Sequence, residues 1–289
     1  MRFSVIGGDM RQAKLAELLA ADNHAVSAFA IDKIRFENDI VQAEGLKDAV
    51  VSADCIILPL PLTSKEGLLN TPLSAELTAT REVLAALRPD QLICAGRIDC
   101  TAYELADAMG LTLIDYLERE ELAVANAVAA AEGAIQLMME ETPITVCHAK
   151  CLVIGFGRIG KILSHRLHAL GAHVTATARN YPDLAWIRAY GYNATPTGSI
   201  DTILADYDVV INTVPARVLG ENRLRKLKQG CLCLDLASKP GGMDFTAASK
   251  LGIKAVWALS LPGEVAPVTS GAIIRDTIYN ILNEKGIKI

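Results

Sequence analysis

The stretch Lys150-Cys-Leu-Val-Ile-Gly-Phe-Gly-Arg-Ile-Gly-Lys161 decides the fold, because it joins three patterns in one order. A short apolar run is followed at once by Gly-x-Gly-x-x-Gly and then by an amphipathic pattern, which predicts a strand, a tight turn and a helix. In such a turn Gly155 allows the sharp reversal, Gly157 lets a pyrophosphate approach the backbone, and Gly160 lets the helix pack closely on the strand. The motif alone also occurs in structural turns. Its place between a strand and a helix, with a second apolar strand at His173–Ala178, favours a dinucleotide site.

The end of that second strand indicates which dinucleotide is bound. An NAD site usually has Asp or Glu about 20 residues after the glycines, where the carboxylate holds the ribose 2′-hydroxyl. Here the chain reads Thr175-Ala-Thr-Ala-Arg-Asn180, and the first acid is Asp183. Arg179 is a cation where a 2′-phosphate would lie, and Thr177 adds a hydroxyl. We therefore expect NADP, with NAD possible if Arg179 is an ordinary solvated loop arginine.

The segment Asp208-Val-Val-Ile-Asn-Thr-Val-Pro215 reads as a strand that ends in polar residues and proline. In a Rossmann-like sheet the loop after this fourth strand passes the nicotinamide-side ribose, so its residues are candidates for the cofactor wall. The complete set of predicted cofactor contacts is Gly155, Gly157, Arg158, Ile159, Gly160, Thr177, Arg179, Asn180, Asn212, Thr213, Val214 and Pro215.

Length and composition limit the classes of protein that remain. The 289 residues are enough for two domains, and a chain that is 51% hydrophobic but 5% aromatic must build its cores from Ala, Val, Ile and Leu. A formal net charge of −5 without long basic runs argues against a nucleic-acid partner. The chain begins directly with a strand pattern, so we expect no signal peptide and a cytoplasmic protein.

The cysteines and the longest apolar stretch fit that expectation. Seven cysteines occur without any C-x-x-C pair, mostly in apolar strand-like segments, which favours buried reduced thiols over disulfides or a metal site. The apolar stretch 122–139 contains Asn126 and Glu132 and is rich in alanine. We interpret it as a buried helix and expect no membrane contact.

The N-terminal segment Phe3-Ser-Val-Ile-Gly-Gly-Asp-Met-Arg-Gln12 repeats the strand–turn–helix pattern without a third glycine. Asp9 stands where a phosphate would lie, and a carboxylate at a helix N-terminus caps the helix but repels an anion. This unit is therefore expected to lack the cofactor. Arg11 and Gln12 begin its helix at the carboxyl end of the sheet, where open α/β sheets bind ligands. The alternative for Arg11 is a plain surface cation.

Further strand patterns alternate with helical ones through both halves, which predicts parallel doubly wound sheets. The fold class is α/β, with two Rossmann-like doubly wound parallel-sheet domains joined by a long helix and a cleft between them. The two halves resemble a loose duplication of one architecture. The expected segments are residues 1–118 for a substrate domain, 119–143 for the linking helix, 144–266 for the NADP domain, and 267–289 for a C-terminal helix that returns to the first domain.

Several motifs arrive in one order along the chain. They are Gly7-Gly-Asp9 with Arg11-Gln12, Leu58-Pro-Leu-Pro61, Gly155-Phe-Gly-Arg-Ile-Gly160, Asn212-Thr-Val-Pro215 and Leu261-Pro-Gly-Glu-Val-Ala-Pro267. Together they resemble the family formed by the A subunits of dipicolinate synthase over nearly the whole chain. Many enzymes share the glycine motif, whereas the first motif combined with the last is much more specific.

The resemblance implies an oxidoreductase that makes pyridine-2,6-dicarboxylate, the calcium-chelating acid of bacterial endospores, in the mother-cell cytoplasm during sporulation. It also implies a flavoprotein-like partner, the B subunit of that enzyme, and we expect a homo-oligomer. A dihydropyridine dicarboxylate would lose a hydride to the nicotinamide and a proton to a base or water, and the aromaticity of the product drives this step. Such a site needs orientation and anion binding more than a strong acid–base pair. The sequence identifies no general base.

Two ring carboxylates require arginine forks, hydroxyls or backbone N–H groups. The prolines of Leu58-Pro-Leu-Pro61 predict an extended, rigid loop at a strand end, followed by the hydroxyl of Thr63. The alternative interpretation of each candidate is an ordinary loop residue. The predicted substrate contacts are Gly8, Asp9, Arg11, Gln12, Pro61, Thr63, Ser238, Gly241 and Gly263.

Two other functions remain open. A 2-hydroxy-acid dehydrogenase has the same layout but uses an arginine after the fifth strand of the cofactor domain and a late histidine. Here the first region reads Ala237-Ser-Lys-Pro240, the late loop carries Glu264, and the five histidines lie elsewhere, at positions 24, 148, 165, 168 and 173. The second is a non-catalytic NADP-binding scaffold for a flavoprotein.

Overall fold

The computed structural model describes residues 1–37 and 39–288. The first part of the chain contains β1 (Arg2–Ile6), α1 (Met10–Ala21), β2 (Ala25–Phe29), β3 (Val41–Gln42), α2 (Leu46–Val51), β4 (Cys55–Ile57), α3 (Thr80–Ala86), β5 (Leu92–Ala95), α4 (Cys100–Ala108), β6 (Leu113–Asp115) and α5 (Glu120–Glu141). The second part contains β7 (Lys150–Ile154), α6 (Arg158–Ala169), β8 (His173–Ala178), α7 (Tyr181–Ala189), β9 (Asn193–Pro196), β10 (Val209–Asn212), α8 (Glu221–Leu224), β11 (Leu232–Asp235), α9 (Phe245–Lys250), β12 (Lys254–Trp257), α10 (Leu261–Val265) and α11 (Pro267–Glu284).

The twelve strands form two parallel sheets with the same topology. The first sheet has the order β3-β2-β1-β4-β5-β6, and the second has the order β9-β8-β7-β10-β11-β12. In each sheet the first strand lies in the middle. The next two strands extend the sheet to one edge, and the last three extend it from the middle to the other edge. The predicted class of two Rossmann-like doubly wound domains is confirmed, and the shared strand order is the duplication that the sequence suggested.

Both sheets are buried on their two faces. In β1, Val5 and Ile6 belong to different hydrophobic cores, and in β7 Val153 and Ile154 do the same. Successive side chains of a strand point to opposite faces, so a strand covered by helices on both sides must be apolar throughout. This explains why these strands appear in the sequence as continuous apolar runs.

The chain divides into two units, Met1–Asn126 with Ala266–Ile289, and Ala127–Val265. The helix α5 belongs to both, because Leu122 lies in a core of the first unit while Ala131 and Met138 lie in a core of the second. Judged by length and composition alone, α5 could cross a membrane, but half of its most apolar window is buried. Its apolar residues are therefore used at least in part for packing within the protein.

The last helix, α11, packs against α1 inside the first unit. Ile274 and Ile278 share a core with Leu15 and Leu19. A Cβ atom at Gly271 would lie 2.9 Å from the carbonyl oxygen of Arg11, so this glycine allows a close approach of the two helices. The helix begins at Pro267, with proline in the first turn, where no N–H is needed.

Three local features differ from the sequence prediction. The edge strands β3 and β9 were missed, because both are short and neither contains a buried apolar run. The loop after β4 was expected to be extended. Instead it bends at residues 60–62, where the Leu60–Pro61 peptide is cis.

Candidate functional site

The glycine turn after β7 has the internal geometry that the motif predicted. Gly155 has φ +102°, and a Cβ atom there would lie 2.5 Å from Thr213 Oγ1. A Cβ atom at Gly160 would lie 2.1 Å from the carbonyl oxygen of Gly155. Glycine at these two positions is therefore required by the packing of the chain itself.

Gly157 differs from its two neighbours in the motif. It is exposed, its φ is −79°, and a Cβ atom there would have no neighbour within 4 Å. Gly157 is also the N-cap of α6 and provides no side-chain cap, so the first N–H groups of that helix are open to an anion. A ligand that approaches the backbone closely would explain this glycine, and a pyrophosphate fits the position. Arg158 is exposed beside it and Ile159 is half-buried.

Thr177 does not have the position that was predicted for it. Its side chain is fully buried, and its hydroxyl accepts a hydrogen bond from the Gly155 N–H at 3.3 Å. The prediction of a direct phosphate contact is therefore wrong, and Thr177 instead supports the turn from inside. The hydroxyl of Thr197, which follows β9 and is half-buried, donates to Thr177 at 3.1 Å. Sequence analysis missed Thr197 because it missed β9.

Arg179 is the side chain most available to a ligand at the end of β8. It is exposed and makes no ion pair or hydrogen bond within the described residues. Asn180 caps α7, with its Oδ1 accepting from the Asp183 N–H at 2.7 Å and its Nδ2 donating to Asp183 Oδ2 at 2.8 Å. The nearest acid is thus occupied by a helix cap, while the arginine stays open. The Asn180 side chain thus serves as a helix cap, and the predicted contact of this exposed residue with the cofactor stays a prediction.

The loop after β10 is only partly as predicted. Asn212 is fully buried, and its Nδ2 donates to Val214 O at 2.9 Å and to Asp235 Oδ1 at 2.8 Å. The Asn212 side chain thus holds the loop from inside, and its predicted place in the cofactor wall stays a prediction. Thr213 donates to Ile154 O at 2.9 Å and is half-buried, like Val214, whereas Pro215 is exposed. These three residues form the surface of the loop.

Asp235 is a buried carboxylate that sequence analysis missed. It accepts hydrogen bonds from the Asn212 side chain, from the Ala237 N–H at 3.1 Å and from the Gly242 N–H at 2.7 Å. These bonds hold the two ends of loop 237–242 against the strand end. The sequence contains a feature that could have identified it, because Asp235 ends an otherwise apolar strand and a buried acid requires hydrogen-bond donors around it.

Two glycines proposed as anion donors use their N–H groups internally. The Gly241 N–H donates to Ser238 O at 2.9 Å within loop 237–242. The Gly263 N–H donates to Ser260 O at 2.9 Å in the first turn of α10. These two N–H groups are used by the turns, and the predicted substrate contacts near Gly241 and Gly263 stay predictions. The side chain of Ser238 itself is exposed.

The turn after β1 is closed by a capping box. Asp9 accepts from the Arg11 N–H at 3.0 Å, and Gln12 Oε1 accepts from the Asp9 N–H at 3.2 Å. Gly8 has φ +94°, and Gln12 is fully buried, with its Nε2 donating to the Tyr116 hydroxyl at 3.2 Å. Burial raises the pKa of Tyr116, which stays a neutral donor. The predicted substrate contacts of Gly8 and Gln12 are wrong, since both are enclosed by the chain.

Arg11 is buried and held in one orientation. Its Nε and Nη2 donate to the Asp9 carboxylate at 2.9 and 2.7 Å, and Nη2 also donates to Leu60 O at 2.7 Å. The Asp9 carboxylate thus binds Arg11, and the predicted contact of Asp9 with the substrate stays a prediction. Nη1 of Arg11 makes no hydrogen bond in the part of the chain that is described, which leaves one side of the guanidinium for a ligand.

Pro61 and Thr63 lie on either side of Leu62 in the bend after β4, and both are half-buried. The Thr63 hydroxyl donates to Asp99 Oδ2, and Asp99 also caps α4 by accepting from the Ala102 N–H at 2.9 Å. The Thr63 proton is therefore committed, and only an oxygen lone pair remains for a ligand. Pro61 offers an apolar surface.

The fold and the open glycine turn define a class, the dehydrogenase-type oxidoreductases with a nicotinamide-dinucleotide domain. The family model described as D-isomer specific 2-hydroxyacid dehydrogenase, NAD binding domain, matches residues 125–237. The family model for the N-terminal domain of the dipicolinate synthase A subunits matches residues 2–117.

A curated relative covers both halves at once. The A subunit of dipicolinate synthase from Bacillus subtilis (strain 168) is 32% identical over 286 residues, which is 98% of this chain and 96% of that protein. The chain belongs to the family of dipicolinate synthase A subunits. The resemblance inferred from the motifs is confirmed.

Solved structures agree with this assignment. The crystal structure of the A subunit of dipicolinate synthase from Bacillus halodurans is similar with a TM-score of 0.88 and 32% identity, over 97% of each chain. A transhydrogenase from Sinorhizobium meliloti has a TM-score of 0.74 at 16% identity, over 98% of this chain and 93% of that one. The second likeness is one of fold alone.

Proposed function

We propose that this chain oxidises a dihydropyridine-2,6-dicarboxylate to pyridine-2,6-dicarboxylate with NADP as hydride acceptor. The substrate ring loses one hydride and one proton, and the products are the aromatic dicarboxylate, NADPH and H⁺. The nicotinamide supplies the two-electron acceptor. The protein supplies binding, orientation and the exclusion of side reactions.

The open turn at Gly157 is the observation that carries the proposal. Its neighbours Gly155 and Gly160 are explained by internal packing, whereas Gly157 is explained by a ligand at the backbone. The uncapped start of α6 places helix N–H groups beside it, and such a helix start favours a pyrophosphate. The family-model match to an NAD binding domain over residues 125–237 supports the same site.

Arg179 supports NADP over NAD. An exposed arginine without an internal partner among the described residues follows β8, and the first acid beyond it is bound to Asn180. A guanidinium pairs with a phosphate through two parallel hydrogen bonds, whereas a ribose hydroxyl needs an acceptor that Arg179 does not provide.

The first unit is proposed to bind the dicarboxylate. Arg11 offers Nη1 at the carboxyl end of the first sheet, beside the half-buried Pro61 and Thr63. The pair with Asp9 fixes the direction of the guanidinium before a ligand arrives, which lowers the entropy lost on binding. The exposed Ser238 stays a proposed substrate contact.

A 2-hydroxy-acid dehydrogenase is the second candidate. A curated relative named glyoxylate/hydroxypyruvate reductase B, from Yersinia enterocolitica, is 25% identical over 61% of this chain and 60% of that protein. Against it, loop 237–242 contains lysine in place of arginine, and α10 contains Glu264 and no histidine. Oxidation of an alcohol by a histidine general base therefore has no counterpart at these positions.

The Bacillus subtilis relative is named as one subunit of its enzyme, which suggests a multi-subunit complex. We propose that the partner is a flavoprotein-like B subunit, that this chain forms a homo-oligomer, and that it works in the cytoplasm of a spore-forming mother cell. A scaffold role for the chain would also need this partner, so the activity assay must be run with and without it.

The test is hydride transfer by the purified chain. A dihydropyridine-2,6-dicarboxylate is mixed with NADP or NAD, and reduced nicotinamide is followed by its absorbance, with and without a flavin-containing B subunit. We expect turnover with NADP by the chain alone. Turnover only after the flavoprotein is added would favour the scaffold role, turnover of a 2-hydroxy acid would favour the second candidate, and no reduction in any arm would overturn the proposal.

A further inference from the structure

Arg97 has an unusual backbone conformation at the carboxyl end of the first sheet. It follows β5 directly after Gly96 and has φ +54°, a region that a long side chain enters only at a cost. Among the described residues, the other non-glycine positions with positive φ are Asn23, Ala30, His148 and Ser260. Arg97 is therefore the arginine among the described non-glycine residues with positive φ.

One carboxylate holds this conformation in place. Asp115, at the end of the neighbouring strand β6, accepts from the Arg97 N–H at 3.0 Å and from the Ile98 N–H at 2.8 Å. It also accepts from the Leu117 N–H at 2.8 Å. The strained turn is therefore fixed by two hydrogen bonds to one acid, which the third bond holds at the end of β6, and the direction in which the Arg97 side chain leaves the backbone is fixed with it.

The guanidinium of Arg97 itself is left open. The side chain is exposed and has no ion pair or hydrogen bond within residues 1–37 and 39–288. The nearest acids in sequence and register are occupied, since Asp115 is bound to backbone N–H groups and Asp99 to Ala102 and Thr63. The protein thus keeps a cation without a side-chain partner near acids whose oxygens already accept hydrogen bonds from other donors.

The bend after β4 connects Arg97 to Arg11. β4 lies between β1 and β5 in the sheet, so Arg11, the bend and Arg97 follow three adjacent strand ends. The Gly96 N–H donates to Pro59 O at 3.0 Å, and a Cβ atom at Gly96 would lie 2.7 Å from Leu60 Cδ1. Arg11 donates to the Leu60 carbonyl from the other side. Arg11 and Gly96, the residue directly before Arg97, therefore both contact the same short segment after β4.

We propose that Arg97 binds one carboxylate of the substrate while Arg11 binds the other. The inference rests on the proposed function and names the residue that would select a dicarboxylate over a monocarboxylate. A guanidinium forms two parallel hydrogen bonds to a carboxylate, so each of two arginines can hold one end of a planar diacid. The strained turn at Arg97 then serves to direct the second guanidinium toward the substrate.

The test is a comparison of two ligands that differ by one carboxylate. Pyridine-2,6-dicarboxylate and pyridine-2-carboxylate are titrated by calorimetry into the wild-type chain and into Arg97→Ala and Arg97→Gly. We expect both variants to bind the dicarboxylate at least tenfold more weakly, because one of its two ion pairs is lost. Affinity for the monocarboxylate should fall by no more than about twofold, since Arg11 still holds its single charge.

Glycine is the informative replacement because it adopts positive φ without strain. We expect the unfolding midpoint of Arg97→Gly to equal or exceed that of the wild type. Arg81→Ala, which removes an exposed arginine on α3, is the matched control and should leave both affinities unchanged.

The outcomes separate this inference from the proposed function. If the wild type binds the dicarboxylate and Arg97→Gly binds it equally well, the inference is overturned while the proposed substrate stands. An equal loss of affinity for both ligands, or the same loss in Arg81→Ala, would also overturn it. The effect of the arginine would then not depend on the second carboxylate of the ligand. If the wild type binds neither ligand, the proposed substrate is overturned together with the inference.

Discussion

Asn212 Nδ2 lies 2.8 Å from Asp235 Oδ1, and this hydrogen bond joins the carboxyl ends of two neighbouring strands, β10 and β11. Both side chains are fully buried. Asp235 also accepts from the N–H groups of Ala237 and Gly242, so one carboxylate sets the start and the end of loop 237–242. A buried acid is tolerated only when such donors surround it.

Asp235→Asn should destabilise the second unit. The new amide replaces one accepting oxygen by a donor, which then faces either the Gly242 N–H or the Asn212 amide, and one buried donor loses its partner. We expect a loss of about 2–3 kcal/mol in the free energy of unfolding in urea. Asp206→Asn, at an exposed position in the same unit, is the control and should change it by less than about 0.5 kcal/mol. Equal effects of the two substitutions would contradict this account of the network.

Alanine at two glycines of the same turn should have opposite consequences. Gly160→Ala places a methyl group 2.1 Å from Gly155 O, so the unit should lose several kcal/mol of stability, about 3 or more. Gly157→Ala meets nothing within 4 Å and should leave the unfolding midpoint unchanged, while NADP binding weakens because the methyl group occupies the ligand's place. Thermal unfolding and a cofactor titration on both variants separate the two effects. Unchanged NADP affinity in Gly157→Ala would remove the main support for the cofactor site.

Arg179→Ala should weaken NADP binding while sparing NAD. Only the 2′-phosphate interacts with the charge, so we expect a loss of about 1.5–3 kcal/mol for NADP, at least tenfold in dissociation constant, and less than twofold for NAD. The difference should shrink at high salt, because the residue is exposed. Arg188→Ala, an exposed arginine on α7, is the matched control. A uniform loss for both dinucleotides would show that Arg179 does not discriminate between them.

The sequence predicted the structure best where a residue pattern is compatible with a single local structure. The apolar strand at 150–154 and the motif Gly155–Gly160 predicted a strand, a turn and a helix that the structure contains. The edge strands β3 and β9 were missed because a strand at a sheet edge needs no buried run, and its pairing depends on a neighbour distant in sequence. The cleft expected between the domains stays a prediction.

Site residues were harder to predict, because a polar residue at a strand end serves either a ligand or the protein. Thr177 and Asn212 carry groups suited to a cofactor, yet both face inward and bind neighbouring turns. Gln12 likewise binds Tyr116, more than a hundred residues away along the chain. Asp235 and Arg97 were overlooked for the same reason, since their significance comes from partners on adjacent strands and from a backbone angle that no motif encodes.

Chemical labelling of the cysteines checks the burial of both sheets. Five thiols are buried and two, Cys100 and Cys147, are exposed. Burial, with a contribution from the nearby Asp208, raises the pKa of Cys151 to about 12. At pH 8 about one molecule in ten thousand would then carry the reactive thiolate at that position, and the fraction would rise about tenfold with each pH unit.

Iodoacetamide at pH 8 should therefore modify the two exposed cysteines of the native protein within minutes and leave the five buried ones intact, as read by mass spectrometry of peptides. In urea all seven should react, which provides the control for reagent and detection. Native modification of Cys151, Cys231 or Cys233 at the rate of Cys147 would mean that the second sheet opens far more readily than its packing allows, because a fully enclosed thiol reacts only after the strand that carries it has separated from its helices.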